Sequence, residues 1–258
     1  MKAKYKLLAI FIILNGNIAY SQNNSDPKIV NDELSVSEYM PFNENSKIAL
    51  LDSEPSLKFN DDLPRLDGAT ALYPVYSAFV NAIYPSGDTN AGGPYWLGDI
   101  SNSVVMCNRT ARAYENLING RVDIIFCAEP SKDQTARAAE KGLQFDMTPI
   151  GKDAFVFFVN KNNQIDNITS SQIRDIYSGN ITNWEDVGGE NSLITPYQRP
   201  NDSGSQTILQ SIMGNISIMD PLKENVAGGM GGIVERVAAY KNYENAVGYS
   251  FLFFTAEM

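Results

Sequence analysis

From Leu63 to Phe253, apolar runs of strand length alternate with helical stretches of amphipathic spacing. This alternation constrains the fold more than any other feature. Strands that return to one sheet after each helix pair in parallel, which implies an α/β fold with mainly parallel sheets. The run Val122–Ala128, apolar but for Asp123, reads as a strand covered on both faces. Three capping-box patterns mark helix starts: Ser131-Lys132-Asp133-Gln134, Thr169-Ser170-Ser171-Gln172 and Ser203-Gly204-Ser205-Gln206. Gly142, Gly179 and Gly214 close the corresponding helices. Ahead of them, the pattern predicts a strand at Leu63–Leu66 and a helix from about Ala71 to Ile83, with Pro74 tolerated in its first turn. A strand at Val104–Cys107 and a helix opened by Thr110 and ended by Gly120 follow. Ala154–Asn160, Leu193–Arg199 and Ala246–Phe253 read as further strands, and Gly228–Gly232 as a turn leading into a helix to about Lys241. The total fits two α/β lobes, residues 63–150 and 151–245, better than one, with no internal repeat.

The first 62 residues differ in kind. Lys2, Lys4 and Lys6 precede the apolar run Leu7–Leu14, and Ala19-Tyr20-Ser21 offers small residues at a cleavage site before Gln22. Residues 1–21 therefore read as a secretory signal peptide, the apolar run being too short for the roughly 20 residues of a membrane span. Residues 22–62 are polar and acidic, an N-terminal extension expected to be partly disordered and then to lie against the first lobe. Export permits disulfides, but Cys107 and Cys127 read as ordinary buried thiols more readily than as a bridge.

Charge and composition exclude several functions. With 20 Lys and Arg against 30 Asp and Glu, the chain lacks the basic surface that nucleic acid requires. It has no His at all, which removes the usual general base, the usual zinc ligand and any Ser-His-Asp triad. No metal or cofactor site is expected, since two Cys without His make a poor metal site.

The residues that could carry chemistry sit where strands hand over to helices. Thr70, Thr110 and Ser203 each place a hydroxyl at a helix start. Unpaired backbone N–H groups and partial positive charge there can hold an anion without net positive charge; singly, each also reads as a simple N-cap. In Arg199-Pro200-Asn201-Asp202-Ser203-Gly204-Ser205, Arg199 offers a planar fork of donors, Ser203 and Ser205 offer hydroxyls, and Gly204 permits close backbone approach. That set suits a tetrahedral oxyanion; the bland alternative is a surface turn. Glu129 ends the Val122–Ala128 strand. An acceptor-only carboxylate beside an anion makes sense if the anion carries a proton; otherwise it is an acid favoured by a helix dipole. Gly228-Gly229-Met230-Gly231-Gly232 matches no nucleotide-binding motif. Trp184, Tyr177, Phe155, Phe157 and Phe158 read as core.

Five blocks in order resemble the phosphate-binding proteins of bacterial phosphate ABC transporters: Leu66–Pro74, Val122–Ser131, Ala154–Asn160, Gln172–Trp184 with Val187-Gly188-Gly189 after it, and Gln198–Thr207. The resemblance runs from about Leu63 to the C-terminus. It implies a two-lobed, type II periplasmic-binding-protein-like fold, with ligand buried in the cleft and no catalytic activity. It assigns phosphate to Thr70 and the N–H of Ala71, to Thr110 (with Arg109 a rival), to Glu129 in place of the Asp of better-known members, and to Arg199, Ser203, Gly204 and Ser205. It makes residues 246–258 a crossover strand returning to the first lobe, whose C-terminal part would then be missing from the chain. The implied partners are inorganic phosphate and a membrane permease, for an exported, periplasmic or cell-surface monomer. The alternative with the same fold is an oxyanion sensor or surface interaction protein without a transporter.

Overall fold

The computed structural model describes the backbone of residues 5–8 and, with side chains, residues 35–90, 93–97, 102–221 and 244–252. The chain divides into two compact units. One comprises Leu34–Met147 with Asp202–Gly204; the other comprises Met1–Glu33, Thr148–Asn201 and Ser205–Met258.

In the Leu34–Met147 unit, β2 (Leu66–Gly68) pairs in parallel with β3 (Ile124–Phe126), and Leu66 also bridges Val105 in parallel. Helix α1 (Tyr73–Ile83) buries Tyr73, Tyr76 and Val80 in a core with Leu66, Tyr84, Tyr95 and Val105. Tyr76 stacks on Phe126 at 5.0 Å, and its hydroxyl donates to the Met106 carbonyl at 2.7 Å. Gly68 lies beneath that ring. A Cβ there would stand 2.6 Å from the Phe126 carbonyl oxygen and 2.8 Å from the Tyr76 ring, so only glycine fits. The part of the N-terminal extension that is described packs on this core: Val36, Tyr39, Phe42 and Phe59 lie against it, with Phe42 edge-on to Tyr95 and Phe59 to Tyr84. Helices α2 (Arg109–Ile118) and α3 (Lys132–Glu140) complete the unit. The Ser131 box forms as expected: the Gln134 N–H donates to Ser131 Oγ at 3.0 Å, and the Ser131 N–H donates to Gln134 Oε1 at 2.8 Å.

Two strand expectations shift. The predicted Leu63–Leu66 strand begins only at Leu66, because Pro64 has no N–H for a ladder. The run 122–128 yields only three strand residues, and it is not covered on both faces. Ile124 is 47% exposed, and among the described residues β3 pairs only with β2.

In the Thr148 unit, four strands form a sheet in the order β1-β4-β6-β5. They are β1 (Tyr5–Leu8), β4 (Phe155–Asn160), β5 (Thr195–Pro196) and β6 (Ala246–Phe251). β4 runs antiparallel to β1 and β6, while β5 runs parallel to β6, so this sheet is mixed. β1 falls inside the segment read as a signal peptide. β6, expected to return to the first lobe, pairs here with β4 and β5. Every residue of β4 is buried, and Phe155, Phe157, Tyr177 and Tyr249 pack ring against ring within 6.0 Å. Helix α4 (Ser170–Ser178) contributes Ile173, Ile176 and Tyr177 to this core. It is capped by the Thr169–Gln172 box and closed by Gly179 in the left-handed region, φ 82°. Trp184 is buried and donates from Nε1 to the Asn245 carbonyl. The aromatic residues read as core are core. Helix α5 (Gly204–Met213) follows β5. The signal cleavage site, the Gly228–Gly232 turn and its helix lie outside the described residues. No helix among the described residues is long and apolar enough to cross a membrane.

Candidate binding site

Thr70 opens a 3-10 turn, Thr70–Leu72, that leads into α1. The cause is local: Pro74 cannot donate to the Thr70 carbonyl, so Tyr73 does, closing the tighter ring. The cap position is Ala69, not Thr70, and it makes no side-chain cap bond. Thr70 and Ala71 are half-buried, and the Cys107 thiol sits 4.0 Å from Thr70 Oγ1. Thr110 is likewise not a cap. It is the second residue of α2, behind Asn108, which makes no side-chain cap bond. The simple N-cap reading therefore fails for Thr70 and Thr110.

Thr110 is buried, with one face turned to Gly204. A Cβ on Gly204 would lie 3.0 Å from Thr110 Oγ1 and 3.5 Å from the Ala128 Cβ. Gly204, Thr110 and Ala128 thus come together within the Leu34–Met147 unit. Ser203 belongs to the same unit. Glu129, next after Ala128, is exposed. Its charge helps raise the Tyr114 hydroxyl, after burial and Cys127, and that hydroxyl donates to the Ala128 carbonyl at 2.8 Å. Arg109, the rival for the second position, is exposed and holds a left-handed backbone, φ 67°.

Sequence reasoning missed what holds this cluster. Asp202 takes a left-handed conformation, φ 68°, tolerable for Asp. Its Oδ1 accepts from Ser131 Oγ at 2.5 Å and its Oδ2 from Arg137 Nη2 at 2.7 Å, while Gln134 Nε2 donates to its carbonyl at 3.3 Å. Arg137 also lies 2.9 Å from Glu115, and Asp202 foremost holds it in its charged form. The Asn201-Asp202 pair before Ser203 was the available signal, since Asn and Asp favour such turns.

In the Thr148 unit, Arg199 is buried at 8% exposure. Its backbone N–H donates to Gln206 Oε1 at 2.9 Å and to the Tyr249 hydroxyl at 3.0 Å, and that hydroxyl also bonds Gln206 Oε1. Burial pushes the Tyr249 hydroxyl up in pKa, partly offset by Arg199. The Gln206 carboxamide, read as part of a capping box, thus reaches back to Arg199 and to Gln198. Ser205, in the first turn of α5, is 2% exposed, and its Oγ has no hydrogen-bond partner among the described residues.

The cysteines are free thiols, each beside a candidate hydroxyl. Burial raises Cys107, which neighbours Thr70. Burial likewise raises Cys127, partly offset by hydrogen bonds from the Ala69 backbone and Thr110. Among the described residues no group of three or more acidic or Cys side chains could hold a metal ion.

Comparison with known proteins gives this arrangement a context. Residues 101–255 match the model of a PBP superfamily domain. The chain is 34% identical over 80 residues to the phosphate-binding protein PstS of Staphylococcus saprophyticus, covering 30% of this chain and 25% of that protein. It is 32% identical over 99 residues to PstS of Borreliella burgdorferi, 38% of this chain and 35% of that one. With PstS of Staphylococcus haemolyticus it shares 23% over 162 residues, 60% of this chain and 50% of that one. The matches thus span a quarter to a half of these relatives' own lengths. Among solved structures, one from Clostridium perfringens, described as a phosphate ABC transporter substrate-binding protein with bound phosphate, superimposes with a TM-score of 0.50. The two are 22% identical over 73% of this chain and 70% of that one, a likeness of fold.

Proposed function

The chain belongs to the PBP superfamily, and on that footing we propose that it is an exported substrate-binding protein that captures inorganic phosphate for an ABC transporter. The observation that carries the reading is Ser205. A hydroxyl buried without a partner in the first turn of a ten-residue helix costs about 1–3 kcal/mol unless a ligand satisfies it. The first turn of α5 also leaves backbone N–H donors for an anion. Arg199, buried four residues before Ser203, supplies the charge-assisted fork. The resemblance to phosphate-binding proteins adds Thr70 with the Ala71 N–H, Thr110, Ser203 and Gly204 as donors, all neutral.

Glu129 is the selective element in this reading. Glu129 is exposed, and its carboxylate accepts a hydrogen bond from the P–OH of hydrogen phosphate; fully ionised sulfate has no O–H to donate, and two acceptors then face each other. The lack of His in the chain fits capture rather than catalysis. A membrane permease is the implied partner, and the protein works as a monomer.

A thermal-shift panel of oxyanions on the purified protein tests the reading. Phosphate at 100 times its dissociation constant adds about 2.7 kcal/mol of stability, and sulfate at equal concentration adds nothing measurable. Stabilisation by a different oxyanion with none by phosphate overturns the assignment.

A further inference from the structure

We propose that Asp67 is a positioning residue of the phosphate site, a buried carboxylate that fixes from one point both loops that carry Thr70 and Thr110. The inference rests on the phosphate reading above and adds a residue to it. Asp67 is fully buried. Its Oδ1 accepts from the Gly68 N–H at 2.8 Å and from the Asn108 N–H at 2.8 Å. Its Oδ2 accepts from Asn108 Nδ2 at 3.0 Å and from Asn116 Nδ2 at 2.8 Å. All four partners are neutral N–H donors, and the carboxyl meets them with two acceptor sites on each oxygen.

Three of the four bonds lie next to a ligand loop, and the fourth, from Asn116, ties in the body of α2. Gly68 stands two residues before Thr70, and Asn108 two residues before Thr110. Asn108 is near the right-handed region (φ −100°, ψ 12°), and Arg109 follows with φ 67°. That order turns successive backbone N–H groups toward one point, a concavity that grips an anion, and Asp67 Oδ1 occupies the Asn108 N–H of it. A left-handed Arg persists only where its surroundings over-determine it, and the bonds from Asn108 and Asn116 to one carboxylate supply that constraint. The Asp67 charge also bears on both Cys107, which neighbours Thr70, and Cys127, which neighbours Thr110. One group therefore stands close to both halves of the donor set in this unit while its own lone pairs are used up.

The test compares wild type, Asp67→Asn and Asp67→Asn/Asn116→Asp by calorimetric titration with phosphate and by amide hydrogen exchange. In Asp67→Asn the new Nδ2 faces two donors. Phosphate affinity falls at least about tenfold and exchange at Asn108–Thr110 accelerates, while β4 and β6 keep wild-type protection. The double variant restores a donor–acceptor pair between positions 67 and 116 and brings affinity back to within about threefold of wild type. If Asp67→Asn does not fold, Asn116→Ala decides, with a several-fold loss of affinity expected in a folded protein. Wild-type affinity and exchange in the single variants, or loss without rescue, overturns the proposal. If wild type itself binds no phosphate, the phosphate reading fails, and the exchange at Asn108–Thr110 alone decides the role of Asp67.

Discussion

Asp202 offers the sharpest test of how this structure holds its loops, because three substitutions separate three contributions. Its carboxylate takes a hydrogen bond from Ser131 and an ion pair from Arg137, and its backbone sits at φ 68°. The Arg137 side chain is 36% exposed and that of Asp202 is 18% exposed, so the ion pair is worth only about 0.5–1 kcal/mol. The Ser131 bond, to a charged acceptor and part-buried, contributes about 1.5 kcal/mol, the low end for such bonds. A left-handed backbone costs an ordinary L residue about 1 kcal/mol more than Asn, Asp or Gly. Asp202→Asn keeps the Ser131 bond and the backbone, and should cost about 1 kcal/mol. Asp202→Gly keeps only the backbone and should cost about 2 kcal/mol. Asp202→Ala keeps neither and should cost about 3 kcal/mol. Urea denaturation followed by circular dichroism reads these as ordered falls in midpoint at constant m. An Ala variant as stable as the Gly variant refutes the backbone contribution; an Asn variant as damaged as Ala refutes the Ser131 bond.

Three further outcomes follow from the cores and the thiols. Phe157→Ala removes a fully buried ring from the β4–β6 aromatic cluster and should cost about 3–5 kcal/mol in the same denaturation; a cost under about 1 kcal/mol contradicts the packing. Burial raises Tyr76, Tyr177 and Tyr249 above the unfolded value near 10. Their contribution is therefore intact below pH 10 and lost as pH rises above it, by up to about 1.4 kcal/mol per pH unit for each group. Urea midpoints flat to pH 11, or tyrosinate absorbance accounting for all thirteen tyrosines ahead of unfolding, would count against this. Cys107 and Cys127, raised by burial, should alkylate at pH 8 at least about tenfold more slowly in the native protein than in urea; equal rates contradict their placement.

What the sequence made legible is what depends on near neighbours. The Ser131–Gln134 and Thr169–Gln172 boxes and the Gly179 stop are exchanges within four residues or one backbone angle, and they form where read. The aromatic core was legible from the apolar run of β4. Strand limits were not, because they depend on a partner. Pro64 delays β2, and Leu193–Arg199 shortens to Thr195–Pro196, where β6 offers a ladder only to Ala246 and Val247. In the candidate site, residue types and handover positions were legible, and Thr110 and Gly204 do meet. Their supports were not. Asp67 reaches Asn108 across 41 residues, Ser131 reaches Asp202 across 71, and no periodicity encodes such pairs. Gln206 carried a capping signature, yet its side chain braces Arg199 instead.

The central claim is that neutral donors and one arginine on this acidic chain hold inorganic phosphate. Isothermal titration of the purified protein with phosphate, then with sulfate, tests it most directly. The account predicts saturable binding of one phosphate per chain, no heat with sulfate, and at least about a hundredfold loss of phosphate affinity in Arg199→Ala. Absence of phosphate binding by wild type, or undiminished binding by Arg199→Ala, would contradict it.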